Sequence, residues 1–282
     1  MRVMITGGNG QLGRALARTA QDECVTFTHA ELDVADFEAV QRAAEETRPN
    51  LIIHAGAMTN VDGCERDPNA AFRANALGTQ NVAAVASNFT SRLVYMSTNF
   101  VFDGAQDDPY DEFAEPRPIS VYGASKLAGE IAVRAVCPRH YIVRTAMVYD
   151  ESGRNFVNTM LRLSEDRSSL RVVGDQFGNP TYAEDLAVAI WKLVELPAFG
   201  TYHLTNSDVA SWYEWAVETF RLTGKQVVVE SIPASEYPRA AAPPRNGVLA
   251  NHAASALGIT LPDWRDGLAR CLGNRGTVLA DG

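Results

Sequence analysis

Apolar residues in this chain gather in short unbroken runs separated by longer stretches with helical periodicity. Residues 2 to 6, Val25 to Thr28, Leu51-Ile52-Ile53-His54-Ala55, Arg92 to Thr98, Tyr141 to Thr145 and Tyr202-His203-Leu204 are the strand candidates. A run that is apolar at nearly every position, such as Leu51 to Ala55, fits a strand covered on both faces, as in a parallel sheet. Helical spacing marks Arg14 to Ala20, Phe37 to Thr47 (broken by Pro49), Ala70 to Ser87, Asn155 to Leu163, Glu184 to Leu196, Trp212 to Arg221 and Trp264 to Cys271. This alternation predicts an α/β fold with a doubly wound parallel sheet. The half that begins near Asn155 is less regular: Val172 to Thr181 reads as a polar loop, Tyr237 to Asn246 as irregular, and the last ten residues as a frayed tail.

The first strand runs directly into Gly7-Gly8-Asn9-Gly10-Gln11-Leu12-Gly13 and a helix. Strand, glycine turn and helix N-terminus together form a corner where backbone N–H groups face a phosphate, which predicts a dinucleotide site over Gly7, Gly10, Gln11, Leu12, Gly13 and Arg14. An NAD site usually places an acid at the end of the second strand, but here that end is Thr28-His29. Asp33, beside Val34, is better placed for the adenine side, while Arg14 and His29 could approach a 2'-phosphate or could be ordinary solvated residues. NADPH is the expected cofactor, with NADH as the alternative.

Ligands of doubly wound folds sit beyond the C-terminal ends of the strands. Ala55, Gly56, Ala57 and Thr59 should therefore face the cofactor, and Asn60 to Asp67, including Val61, should begin a substrate rim. Ser97 and Thr98 bring two hydroxyls to the same edge, and the turn-rich 103–118 segment returns the chain to that crevice. There a Thr98 hydroxyl could bond a substrate carbonyl. Asn75, amid apolar neighbours, must satisfy a buried amide and is expected to be structural rather than part of a water relay.

Tyr122 and Lys126 stand four residues apart in a helix-forming segment, one turn apart on one face. An ammonium there would favour the phenolate and bring a tyrosine that ionises near pH ~10 within range of neutral proton transfer. The same pair occurs by chance on exposed helices. Its neighbours at the strand ends favour chemistry.

The chain has 282 residues, 46% of them hydrophobic, enough for one large domain or two interleaved ones. A net charge of -9 argues against nucleic-acid or anionic-membrane partners. Neither a signal peptide nor an eighteen-residue apolar run is present in the sequence. Cys24, Cys64, Cys137 and Cys271 lack metal-ligand spacing and read as reduced thiols of a cytoplasmic protein; no metal is expected.

Taken together, Thr6 to Gly13, Met96-Ser97-Thr98 with Val101-Phe102-Asp103-Gly104, Tyr122-Gly123 with Ser125-Lys126-Leu127 and Gly129-Glu130, Arg144-Thr145 with Val148-Tyr149, Asn155-Phe156, and Asp175-Gln176 with Pro180-Thr181 resemble the extended short-chain dehydrogenase/reductase family, in its dTDP-4-dehydrorhamnose reductase branch. The resemblance spans nearly the whole chain. It implies a Rossmann domain (1–147 and 182–206) with a smaller interleaved α/β substrate-binding domain (148–181 and 207–282). It also implies NAD(P)H, and reduction of the 4-keto group of a nucleotide-linked deoxysugar by Thr98, Tyr122 and Lys126, with Tyr122 and Lys126 also touching the cofactor. A homodimer is possible.

The departures fall where relatives hold the sugar. Their Ser-Thr-Asp-Tyr is here Ser97-Thr98-Asn99-Phe100, a usual Trp is Met147, and the usual Arg-Pro followed by Ser is here Pro243-Pro244-Arg245-Asn246-Gly247. Ala15 replaces a Glu of relatives with a metal-bridged dimer. Val61, Asn99, Phe100, Met147, Asn155, Gln176 and Arg245 are thus the expected substrate contacts. Two alternatives remain on this evidence: a reductase of a ketone without a diphosphate, and a non-catalytic cofactor-binding subunit.

Overall fold

The structure, a computed structural model, describes residues 1–278, the last three by backbone alone. Its first half alternates strand and helix: β1 (Arg2–Thr6), α1 (Gln11–Thr19), β2 (Glu23–Phe27), α2 (Phe37–Thr47) and β3 (Leu51–His54), followed by α3 (Val61–Arg66), α4 (Pro68–Phe72), α5 (Gly78–Asn88), β4 (Arg92–Thr98), α6 (Val121–Val136) and β5 (His140–Thr145). Next come β6 (Val148–Tyr149), α7 (Phe156–Asp166), β7 (Ser169–Val173), β8 (Phe177–Gly178), β9 (Thr181–Tyr182), α8 (Ala183–Val194) and β10 (Gly200–His203). β11 (Ala210–Ser211), α9 (Trp212–Thr223), β12 (Val228–Ile232), α10 (His252–Ala256) and α11 (Trp264–Val278) complete the described chain.

Six strands form one parallel sheet in the order β10-β5-β4-β3-β1-β2. The chain leaves β1 toward β2, then resumes on its other side at β3. That reversal opens a crevice beyond the carboxyl ends of β1 and β3, as doubly wound folds require. β3 and β4 are buried almost end to end, which explains their unbroken apolar runs.

Two cores flank this sheet. One joins Val3, Ile5, Ile53 and Val94 to Leu16 and to Leu186, Ile190 and Leu193; the other joins Met4, Ile52, Leu93 and Tyr95 to Val40, Val82 and Val133. A third unites Tyr149, Val157, Leu170, Tyr182, Trp215, Phe220, Trp264 and Leu268. Around it lie three two-stranded pairings, β6 with β9 and β7 with β12 in parallel and β8 with β11 antiparallel. Ala254, Ile259 and Leu261, late in the chain, return to the first core.

The loop expected over Val172 to Thr181 is in part sheet. β7 ends at Val173, and β8 and β9 occupy Phe177–Gly178 and Thr181–Tyr182. These strands are so short that their partners, distant in sequence, define them. The frayed tail is also corrected over 273–278, which continue α11; residues 279–282 lie outside the described residues. The predicted helix over Ala70 to Ser87 is continuous in path but holds a π-helical turn, Arg73–Leu77, centred on buried Asn75. A π-bulge admits one extra residue per turn and often marks a functional site.

Among the described residues no helix is long and apolar enough to cross a membrane, and no group of three or more His, Cys, Asp or Glu is arranged to hold a metal. All four cysteines are free.

Candidate active site

The glycine turn lies where the sheet reverses. Gly7 has φ +75, and a Cβ there would meet Gly56 Cα at 2.7 Å, so glycine serves both the turn and the contact between the ends of β1 and β3. Helix α1 starts at Gly10 with no side-chain cap, leaving its first N–H groups available to an anion. This cradle fits a dinucleotide pyrophosphate. Beneath it His54 is buried, with Nδ1 2.7 Å from Thr6 Oγ1 and Nε2 3.1 Å from Thr79 Oγ1. Burial and then the nearby Lys126 push its pKa down to about 3, so it ties β3 to β1 and α5 as a neutral ring.

The remaining predicted cofactor residues divide. Ala55, Gly56 and Ala57 line the turn after β3, half-buried, with Thr59 exposed beside them. Val34 is buried in the second core and His29 is exposed. Asp33 accepts from Arg73 at 2.6 Å, a hydrogen bond that holds its carboxyl below the usual range. Arg14 donates to Asp150 Oδ2 and Ser152 Oγ, each at 3.1 Å, and to the Asn9 carbonyl. Gln11 and Asn155, expected at cofactor and substrate respectively, bond each other at 2.9 Å. Asn155 also caps α7 through Asn158 N at 2.9 Å.

Helix α6 carries the second half of the site. Ser120 caps it, accepting from Gly123 N at 3.1 Å, and Glu65 accepts from Val121 N at 2.7 Å. Held at that end, α6 presents Tyr122, Lys126 and Glu130 at successive turns. Phe100 meets the Tyr122 ring edge-on at 5.4 Å. Lys126 is 2% exposed, with Nζ 4.2 Å from the centre of the Tyr95 ring, while the Tyr95 hydroxyl donates to the Lys126 carbonyl at 3.0 Å. Asn75 grips this helix from the π-turn: its amide donates to Ser125 Oγ at 3.0 Å and exchanges bonds with Met58 N and O at 2.8 and 3.1 Å. These bonds satisfy its buried amide.

The ionisation pattern corrects one expectation. Burial pushes the Tyr122 phenol up to about 12, with the Thr98 hydroxyl as its opposing influence, and pushes the Lys126 ammonium down to about 7, partly offset by Glu130. In this state Lys126 does not depress the phenol. Desolvation outweighs attraction because both groups are taken out of water together and the ammonium is itself losing its charge. The phenol is kept protonated at neutral pH.

Glu130, which sequence reasoning left without a role, is fully buried and accepts from Arg144 at 2.9 and 2.8 Å, from Ser97 at 2.6 Å and from Arg134 at 2.9 Å. An acid four residues after Lys126 in an apolar helix was the available signal. The Asp150–Glu151–Tyr182 group was missed because Tyr182, on β9, reaches the adjacent Asp150 and Glu151 from 31 positions away. Burial and Glu151 raise the Asp150 carboxyl to about 6.

The expected substrate contacts come from both halves of the chain. Asn99 is buried; Met147 adopts φ +47, a strained conformation for a side chain with a Cβ; Gln176 is half-buried between β7 and β8; Val61 opens α3. Arg245 is exposed and 3.9 Å from Asp107, bordering a cavity of about 250 Å³ shared with Phe177, Val209 and Val248.

The family model of the RmlD substrate binding domain matches residues 1–276. A dTDP-4-dehydrorhamnose reductase of Sinorhizobium fredii is 38% identical over 284 residues, covering 96% of each chain. A dTDP-4-keto-6-deoxy-D-glucose reductase of Streptomyces niveus is 38% identical over 275 residues, covering 95% of this chain and 96% of its own. Among solved structures, a dTDP-4-dehydrorhamnose reductase of Bacillus anthracis in complex with NADP superposes with a TM-score of 0.94 at 40% identity, covering 96% of this chain and 98% of its own.

Proposed function

Because this chain belongs to the RmlD substrate binding domain family, we propose that it is an NADPH-dependent reductase of the 4-keto group of a dTDP-linked 6-deoxysugar. The observation that carries this is the meeting of Tyr122, Lys126 and the Thr98 strand end beside an uncapped glycine turn in one crevice.

Gly7, Gly10, Gln11, Leu12 and Gly13 would bind the pyrophosphate of NADPH, and Ala55, Gly56 and Ala57 would flank its ribose and nicotinamide. When bound, NADPH supplies the hydride for the ketone carbon. Tyr122 donates its phenolic proton to the ketone oxygen, a transfer favoured by a phenol kept protonated in the resting site. Thr98 holds the phenol and the reacting oxygen in register. Lys126 contacts the nicotinamide ribose and, when charged, stabilises the phenolate left on Tyr122. The phenol recovers its proton from solvent through the crevice.

Residues 1–147 and 182–206 are assigned as the cofactor-binding part and 148–181 and 207–282 as the substrate-binding part; the third core supports this for Val157, Leu170, Trp215 and Trp264, while Tyr182 joins that core and Ala254, Ile259 and Leu261 pack in the first. Val61, Asn99, Phe100, Met147, Asn155, Gln176 and Arg245 are proposed to surround the sugar nucleotide. With Asn155 bonded to Gln11, its contact joins sugar site to cofactor site. The same proposal includes a cytoplasmic enzyme and a homodimer.

Tyr122→Phe tests the assignment. Its turnover of a dTDP-4-keto-6-deoxysugar should fall by roughly 10²–10⁴-fold, the range of general acid catalysis, with NADPH still raising the melting temperature as in the wild type. Turnover preserved in the variant would overturn the role of Tyr122.

A further inference from the structure

Asn99 stands at a junction that neither the glycine turn nor α6 explains. It follows Thr98 at the end of β4, is 5% exposed, and uses both ends of its amide. Its Oδ1 accepts from the Thr98 hydroxyl at 3.2 Å, and its Nδ2 donates to the Gly247 carbonyl at 3.0 Å. That carbonyl only accepts, so the amide has one orientation: nitrogen toward Gly247, oxygen toward Thr98. A threonine hydroxyl has one proton. In the empty crevice that proton points at Asn99 Oδ1, while Thr98 Oγ1 accepts from Phe100 N at 3.2 Å; a ketone oxygen entering the crevice would compete with Asn99 for it.

Gly247 is fitted to the same junction. A Cβ at 247 would lie 2.3 Å from Asn99 Nδ2, so the amide and the backbone of this segment occupy adjoining space that only glycine leaves open. Gly247 N donates to the Phe177 carbonyl at 2.8 Å, Asn246 N to the Gly104 carbonyl at 3.3 Å, and Leu249 N to Asn179 Oδ1 at 2.8 Å. Asn99 ties this set to Thr98, the last residue of β4, which it directly follows. Both Asn99 and Gly247 lie in stretches where the chain departs from its relatives' pattern.

We propose that Asn99 is a positioning and specificity-determining residue: its amide orients the Thr98 hydroxyl in the empty site and clasps the 243–249 segment, with Arg245, over the sugar site. An aspartate at 99 would keep an oxygen for Thr98 but set a second acceptor against the Gly247 carbonyl, repelling the segment. The clasp therefore needs an amide. Its effect on turnover rests on the reductase assignment above; its effect on the 243–249 backbone does not.

Two variants and two readouts separate these. In Asn99→Asp, amide hydrogen exchange at Gly247 to Leu249, measured without substrate, should quicken at least tenfold, and KM for the dTDP-4-keto-6-deoxysugar should rise at least tenfold, with most of the loss in KM rather than kcat. Gly247→Ala, which displaces the amide from the opposite side, should reproduce the faster exchange. Exchange unchanged in both variants overturns the clasp. Faster exchange with KM unchanged overturns its part in specificity. A wild-type protein that reduces none of these sugars defeats the reductase assignment, and the exchange result then stands on its own.

Discussion

Lys126 and Glu130 are one helical turn apart on α6, both buried, and the structure treats their charges in opposite ways. Glu130 has bidentate Arg144, Arg134 and Ser97 around it, and these bonds hold its carboxyl below the ordinary range despite burial. Lys126 has no ion pair of hydrogen-bonding distance among the described residues; it has the face of Tyr95, and desolvation carries its pKa down to about 7. A buried charge supplied with partners is a structural bolt. One left short of partners keeps its proton loosely, and is free to answer to a ligand. The group proposed to act in the reaction is the less satisfied of the two.

Removing partners tests the contrast. Arg144→Ala leaves Glu130 buried beside an empty guanidinium site and should cost about 3–5 kcal/mol in urea unfolding. A loss below about 1 kcal/mol would mean that the pair adds nothing beyond surface ionic strength effects.

Lys126→Met should behave differently. Between pH 7 and the ordinary lysine pKa, the unfolded wild type holds a proton that the folded protein has released, so wild-type stability rises as pH increases through that window. Relative to Lys126→Met, the cofactor-free wild type should gain about 2–3 kcal/mol between pH 6 and pH 9. A constant difference across that range would show the ammonium to be ordinarily solvated.

The smallest effect comes from Arg134, which meets the same Glu130 carboxylate at 2.9 Å but from a side chain 39% exposed. Arg134→Ala should cost less than about 1 kcal/mol, most of it removed by salt. A loss equal to that of Arg144→Ala would place the distinction somewhere other than burial.

The first half of the fold was legible because its signals are local. Leu51 to His54 can only be a strand buried on both faces, and the glycine turn after β1 needs no distant partner to be recognised. The Tyr122–Lys126 pair was legible for the same reason, since four residues of helix fix its geometry. β8, β9 and β11 were not, at two residues each, and neither was the bond from Asn155 to Gln11, across 144 positions of sequence. The expectation that Lys126 would lower the phenol failed on burial, a property of the assembled crevice that spacing does not carry.

The sequence by itself determined the alternation of elements, the glycine corner after the first strand and the one helix face that holds Tyr122 and Lys126, because each depends on backbone preferences and side-chain periods over a few residues. Tertiary structure decided which charges are satisfied and which are poised, where Arg14 and Asn155 spend their hydrogen bonds, and how Asn99 meets Gly247. Those outcomes depend on desolvation and on contacts between segments far apart in the chain, and both come into being only when the cores close.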